Sequence, residues 1–143
     1  MDEQTGMKTI WCFALLTLIF LTAGICAAEV PDLIGNWTGS WRAYDAGVGY
    51  SGSGENDSVN FAFVEQRDRI FAGNLTFKMK NESDSKDGFV GAIGLDNKTL
   101  YIAEFDKGYI QGTLISNDEM ELIYLADGEE ASVAVDRLNR IKA

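Results

Sequence analysis

The sequence predicts an all-β protein, about eight antiparallel strands closed into an up-and-down barrel behind an N-terminal export segment. Three observations carry this. Apolar and polar residues alternate with period two from Leu33 onward. Gly, Asn and Asp interrupt the alternation at short intervals, where tight turns need them. No long stretch with the 3.6-residue period of an amphipathic helix follows the export segment, where Pro31 is the only proline.

The export segment comes first. Lys8 precedes an apolar run from Ile10 to Ile25, which closes on Cys26-Ala27-Ala28, a small-residue site where signal peptidase can cut before Glu29. Residues 1–28 therefore read as a signal peptide and 29–143 as a single barrel domain. Asp2 and Glu3 sit where positive charge is expected, so Met7 is the better start. The contrasting reading is an uncleaved helix that anchors the chain in a membrane. Lipid attachment at Cys26 is disfavoured by Ile25, where a small residue is needed. Cleavage removes both cysteines, Cys12 and Cys26, so the domain must be held by its core rather than by a disulfide.

The strands follow in order. Leu33–Ala43 comes first, with Leu33, Gly35, Trp37, Gly39, Trp41 and Ala43 on one face. A Gly/Ser-rich loop, Asp45–Asp57, leads to Ser58–Gln66, where Val59, Phe61 and Phe63 alternate. Arg67-Asp68 turns into Arg69–Lys80, with Phe71, Gly73, Leu75 and Phe77 in phase. The polar stretch Asn81–Asp87 precedes Gly88–Leu95, with Phe89, Gly91 and Ile93 in phase. Thr99–Phe105 places Tyr101, Ala103 and Phe105 together. Tyr109–Ile115, Glu119–Leu125 and Ala131–Leu138 complete the set. Short connections favour antiparallel neighbours, and closure removes the two edges a flat meander would expose. Glycines inside the strands (Gly35, Gly39, Gly73, Gly91, Gly112) fit a strongly curved barrel, and fit equally the bulges of a β-sandwich.

The eight-strand meander and its opening Gly35-Asn36-Trp37 resemble the calycins, the superfamily of lipocalins, fatty-acid-binding proteins and avidins. The resemblance implies that Gly35 and Trp37 close the barrel floor against an arginine from the last strand, Arg137 or Arg140. It departs from that pattern at mid-chain, where the lipocalin Thr-Asp-Tyr is missing, and at Gly39, where avidins carry a ligand-contacting asparagine. The chain also resembles small secreted proteins of methane-producing archaea, a likeness that implies no activity.

Composition excludes more than it assigns. The chain of 143 residues has no histidine, which removes Ser-His-Asp and Cys-His nucleophile pairs and imidazole metal sites. A net charge of -10, from 22 acidic and 12 basic residues, disfavours nucleic acid. No cofactor motif appears, and the Gly47–Gly54 stretch lacks the lysine of a phosphate loop. Asp84, Asp87, Asp127, Glu129 and Glu130 lack calcium-loop spacing, so no metal site is expected. Glu65 and Glu104 interrupt apolar patterns and are the candidates for paired-carboxylate chemistry, against a plain reading as solvated positions.

Trp37, Trp41, Phe61, Phe63, Phe71, Phe77, Phe89, Tyr101, Phe105 and Tyr124 are candidates to line a cavity or fill the core. Five Asn-x-Ser/Thr sequons, at Asn36, Asn56, Asn74, Asn81 and Asn97, suit a glycoprotein. The function expected is therefore that of a secreted or cell-surface barrel, binding a small apolar molecule. The alternative is an interaction or structural module with an envelope-protein partner, and an enzyme built on carboxylates is the contrasting class.

Overall fold

The computed structural model describes residues 29–55, 57–78 and 85–142. The segment 1–28, expected to direct export, and the sequons at Asn56 and Asn81 lie outside the described residues.

Nine strands form one antiparallel sheet: β1 (Gly35–Asp45), β2 (Gly49–Gly52), β3 (Ser58–Arg67), β4 (Ile70–Lys78), β5 (Ser85–Ile93), β6 (Thr99–Glu104), β7 (Tyr109–Ser116), β8 (Glu119–Ala126) and β9 (Ser132–Arg140). Each of β3 to β8 pairs with the next in sequence, and β9 returns to pair with β1 from Trp37↔Arg140 to Asp45↔Ser132. That pairing makes the sheet a closed eight-stranded barrel. The short β2 is no extra stave. It pairs with the second half of β1, whereas β3 pairs with the first half, so the two act as one interrupted strand. The Gly/Ser-rich segment expected as a loop thus contains a strand, pinned by the edge-to-face contact of Tyr44 and Tyr50 at 4.8 Å.

Alternation sends one face of every strand inward. Trp37, Phe61, Phe63, Phe71 and Phe89 are buried in the lower interior with Leu33, Leu75, Ile93, Leu100, Met120, Leu122 and Leu138. The rings meet mostly edge to face, with Phe63 5.2 Å from Phe89 and 5.3 Å from Phe71. Glycines make room for them. A Cβ on Gly91 would lie 2.5 Å from the Phe71 ring, and one on Gly73 would lie 2.5 Å from Phe89. The lower barrel is therefore packed, not hollow.

Two inward assignments are corrected. On β6 the buried face is Leu100 and Ile102, so Tyr101 is 57 % exposed on the outside. Phe105 follows the end of β6 and is 68 % exposed. Both faces of this strand carry apolar residues, and the register with β5 and β7 decides which one turns inward. On β3 a bulge between Phe63 and Glu65 reverses the alternation, leaving Glu65 exposed and turning Gln66 inward. Gln66 then donates through Nε2 to the Pro31 carbonyl and accepts from the Leu33 amide, each at 2.8 Å. The segment before β1 is tied across the floor in this way.

Candidate functional site

The two ends of the barrel differ in how their polar groups are satisfied. At the floor, β1 begins and β9 ends. The Arg140 guanidinium lies 4.4 Å from the centroid of the Trp37 ring. It donates to the carbonyls of Ile34 at 2.7 Å, Asp32 at 2.5 Å and Asn117 at 3.1 Å. Trp37 Nε1 donates to the Leu33 carbonyl at 3.0 Å. Of the two arginines expected as the tryptophan's partner, Arg140 takes that place, beside Gly35. Arg137 points outward to Glu119 at 2.9 Å and Glu121 at 3.6 Å. A hollow of about 620 Å³ beneath Leu33 reaches Arg140, whose donors are already engaged there. This end is scaffold.

The upper end, where β1 finishes and β9 starts, is the opposite case. A cavity of about 300 Å³ opens there, lined by Asp45, Phe77, Glu104, Lys107, Tyr124, Ala126, Glu130, Ser132 and Ala134. One inward position below Ala134 on β9 stands Asp136, 1 % exposed and the one buried charged residue among those described. Its register partner on β1 is Trp41, half-buried against the core. Asp136 Oδ1 and Trp41 Nε1 are both buried, and neither has a hydrogen-bond partner among the described residues. A buried polar atom left unpaired costs about 1–3 kcal/mol, so two together mark a place where the fold is not optimised for itself.

The electrostatics are one-sided. Burial pushes the Asp136 carboxyl up to about 7. Glu104 is also raised to about 7, first by burial and then by repulsion from Asp87, Asp136 and Asp106. The same acidic surroundings, after burial, raise the Tyr124 phenol. That hydroxyl donates to the Lys107 carbonyl at 3.1 Å. The ring can lie over this turn because Gly108 has φ +106°, and any Cβ there would collide with it. At the rim, Lys107 Nζ is 3.7 Å from Glu130, and the Ser132 hydroxyl donates to Asp45 at 2.5 Å. Near neutral pH the two interior carboxyls can each keep or release a proton, and they can hold a hydrogen-bonding or positive group.

The expected site residues thus separate by height. Trp37, Phe61, Phe63, Phe71 and Phe89 belong to the packed lower interior, Phe77 and Tyr124 line the cavity, and Trp41 lies just below it at the level of Asp136. The expected carboxylate pair of Glu65 and Glu104 is not assembled, since Glu65 is outside while Glu104 lines the cavity, within the influence of the Asp136 charge. Asp136 itself escaped the sequence reading, because a carboxylate in a strand ordinarily marks the solvent face. The signal was its phase, shared with Ala134 and Leu138. Among the described residues no group of three or more His, Cys, Asp or Glu is placed to hold a metal. Of the described sequons, Asn36 and Asn74 are exposed on the outer wall, whereas Asn97 is half-buried in the β5–β6 turn with its amide 3.4 Å from the Glu29 carbonyl.

No protein-family model matches the chain, and no curated protein does. Among solved structures, a redesigned β-barrel is similar at 12 % identity and a TM-score of 0.52, over 84 % of this chain and 100 % of that one. A de novo designed fluorescence-activating β-barrel is similar at 11 % identity and a TM-score of 0.47, over 80 % of this chain and 96 % of that one. The first likeness is one of fold.

Proposed function

We propose that the chain is an exported, calycin-like barrel that binds a small molecule at its upper mouth. A closed antiparallel barrel is compatible with ligand binding. The observation that carries the reading is the pair Asp136 Oδ1 and Trp41 Nε1, buried without partners beneath an open cavity of about 300 Å³. That volume is at the small end for ligand pockets, which run to about 1,000 Å³. The lower interior is packed, so the ligand is small and sits high, beside Phe77 and Tyr124 and above Trp41. Export rests on the apolar run Ile10–Ile25 and its small-residue close, and the exposed sequons Asn36 and Asn74 suit a glycosylated surface.

The test is a fluorescence titration of the folded chain with N-phenyl-1-naphthylamine, a small neutral apolar dye. Saturable enhancement that Trp41→Phe weakens supports the reading. A dye that stays dark at every concentration, together with failure of the charged amine tested below, removes it.

A second reading, an interaction module, is favoured by the outer wall. Tyr50, Tyr44, Val133, Leu125 and Tyr109 are all exposed, and register aligns them as cross-strand neighbours over five strands. A concentration-dependent sedimentation coefficient that Leu125→Lys abolishes would favour it.

A further inference from the structure

We infer that the mouth selects a small organic cation: an ammonium group on an apolar body that also carries one hydrogen-bond acceptor. This deepens the small-molecule reading and rests on it. The argument starts from Asp136, which is 1 % exposed with Oδ1 unpaired. An ionised carboxylate so placed needs a positive partner, because burial without one is costly.

The protein supplies none from the surrounding elements. The ionisable groups around the mouth are Asp45 on β1, Asp87 on β5, Glu104 on β6, Asp106 and Lys107 in the β6–β7 turn, Tyr124 on β8, and Glu130 before β9. Lys107 is the one basic residue lining the cavity, and its ammonium lies at the rim beside Glu130. Arg42 and Lys86 are exposed on the outer faces of β1 and β5. An anion would meet repulsion from every side of this mouth.

A neutral apolar molecule fits less well than a cation, since it would leave Asp136 Oδ1 and Trp41 Nε1 as they are. An ammonium satisfies the carboxyls of Asp136 and Glu104. An acceptor on the same molecule takes the Trp41 N–H. The rings of Phe77 and Tyr124 line the cavity and offer π faces to the charge and its apolar body, with Trp41 one layer below at the level of Asp136. Because both interior carboxyls hold protons up to about neutral pH, the cation displaces protons as it binds.

Calorimetric titration of the folded full chain tests this with three probes of one shape: tyramine, its neutral counterpart tyrosol, and its anionic counterpart 4-hydroxyphenylacetate. Tyramine is expected to saturate at about pH 8, to weaken about tenfold at about pH 6, and to release protons on binding. Tyrosol is expected to bind at least about tenfold more weakly, and the acid not at all. Asp136→Asn and Glu104→Gln each keep their side-chain shape, so they should fold and lose about tenfold in tyramine affinity. Tyrosol binding as tightly as tyramine, or tyramine binding that both variants leave unchanged, overturns the cation inference. Failure of tyramine alongside binding of N-phenyl-1-naphthylamine also overturns it and leaves the small-molecule reading standing. Failure of both probes overturns both.

Discussion

Arg140 stacks on Trp37 at 4.4 Å while its three nitrogens donate to the carbonyls of Ile34, Asp32 and Asn117. One side chain thus joins the last strand, the segment before the first strand and the β7–β8 turn. Removing it uncovers the tryptophan and frees three carbonyls. Arg140→Ala is expected to lower unfolding free energy by about 2–4 kcal/mol in urea denaturation. Arg140→Lys keeps the charge but not the planar fork, so it should recover less than half of the loss. An alanine variant as stable as the parent would show that the floor is closed by packing alone.

Stability should depend on pH in a direction set by the interior carboxyls. Asp136 holds its proton up to about 7 when folded, against an ordinary value of 3.8. The native state therefore binds more protons than the unfolded chain between these limits. Stability falls as pH rises from about 4 to about 7, and the full penalty is present above that. Asp136→Asn abolishes most of it and should gain on the order of 2–4 kcal/mol at about pH 8, with little change at about pH 4. Asp96 acts with the opposite sign. Hydrogen bonds from Thr99 and Lys98 lower it to about 2, so its contribution is present above its ordinary 3.8 and is lost as pH falls toward 2. Urea unfolding across this range checks both limbs. Equal stability of the parent chain at about pH 5 and about pH 8 would contradict the buried-acid account.

The packed lower interior makes Gly91 intolerant of even a methyl group. A Cβ there would lie 2.5 Å from the Phe71 ring and 2.6 Å from the Tyr101 carbonyl oxygen. The oxygen belongs to the neighbouring strand and cannot move aside. Gly91→Ala is expected to cost about 1–3 kcal/mol, whereas Gly128→Ala meets no atom within 4 Å and suffers only from its φ of +94°. Thermal unfolding of the two variants separates overpacking from backbone strain. The reverse ranking would show that the aromatic layer can shift.

Among the described sequons, exposure ranks the glycosylation sites. Asn36 and Asn74 flank Ala62 on neighbouring strands of the outer wall, and their threonines flank Asn60 one step above. Asn97 sits in a tight turn with φ 55°. In a glycosylating host, intact-mass measurement should show glycan loss for Asn36→Gln and Asn74→Gln and little change for Asn97→Gln. Occupancy at Asn97 alone would reverse this ranking.

The strand order and closure were legible because period-two alternation survives in all eight staves, with turns marked by Asp, Asn and Gly. What escaped follows from features that alternation does not record. The bulge at Val64 inverts the phase of β3 after Phe63, so Gln66 rather than Glu65 faces in. On β6 both faces are apolar, and only pairing with β5 and β7 selects Leu100 and Ile102 over Tyr101. β2 is four residues of small and aromatic types, too short to show a period. The site was least legible of all. Asp136 obeys the inward phase and breaks the inward chemistry, a conflict that local composition assigns to the surface.

The pairing of Trp37 with Arg140 and of Asp45 with Ser132 joins the first strand to the last. Seven of the eight pairings between staves can zip locally as hairpins, but this seam waits for the most distant part of the chain. A barrel of this design folds slowly for its size, and the unzipped intermediate keeps two open edges until the end.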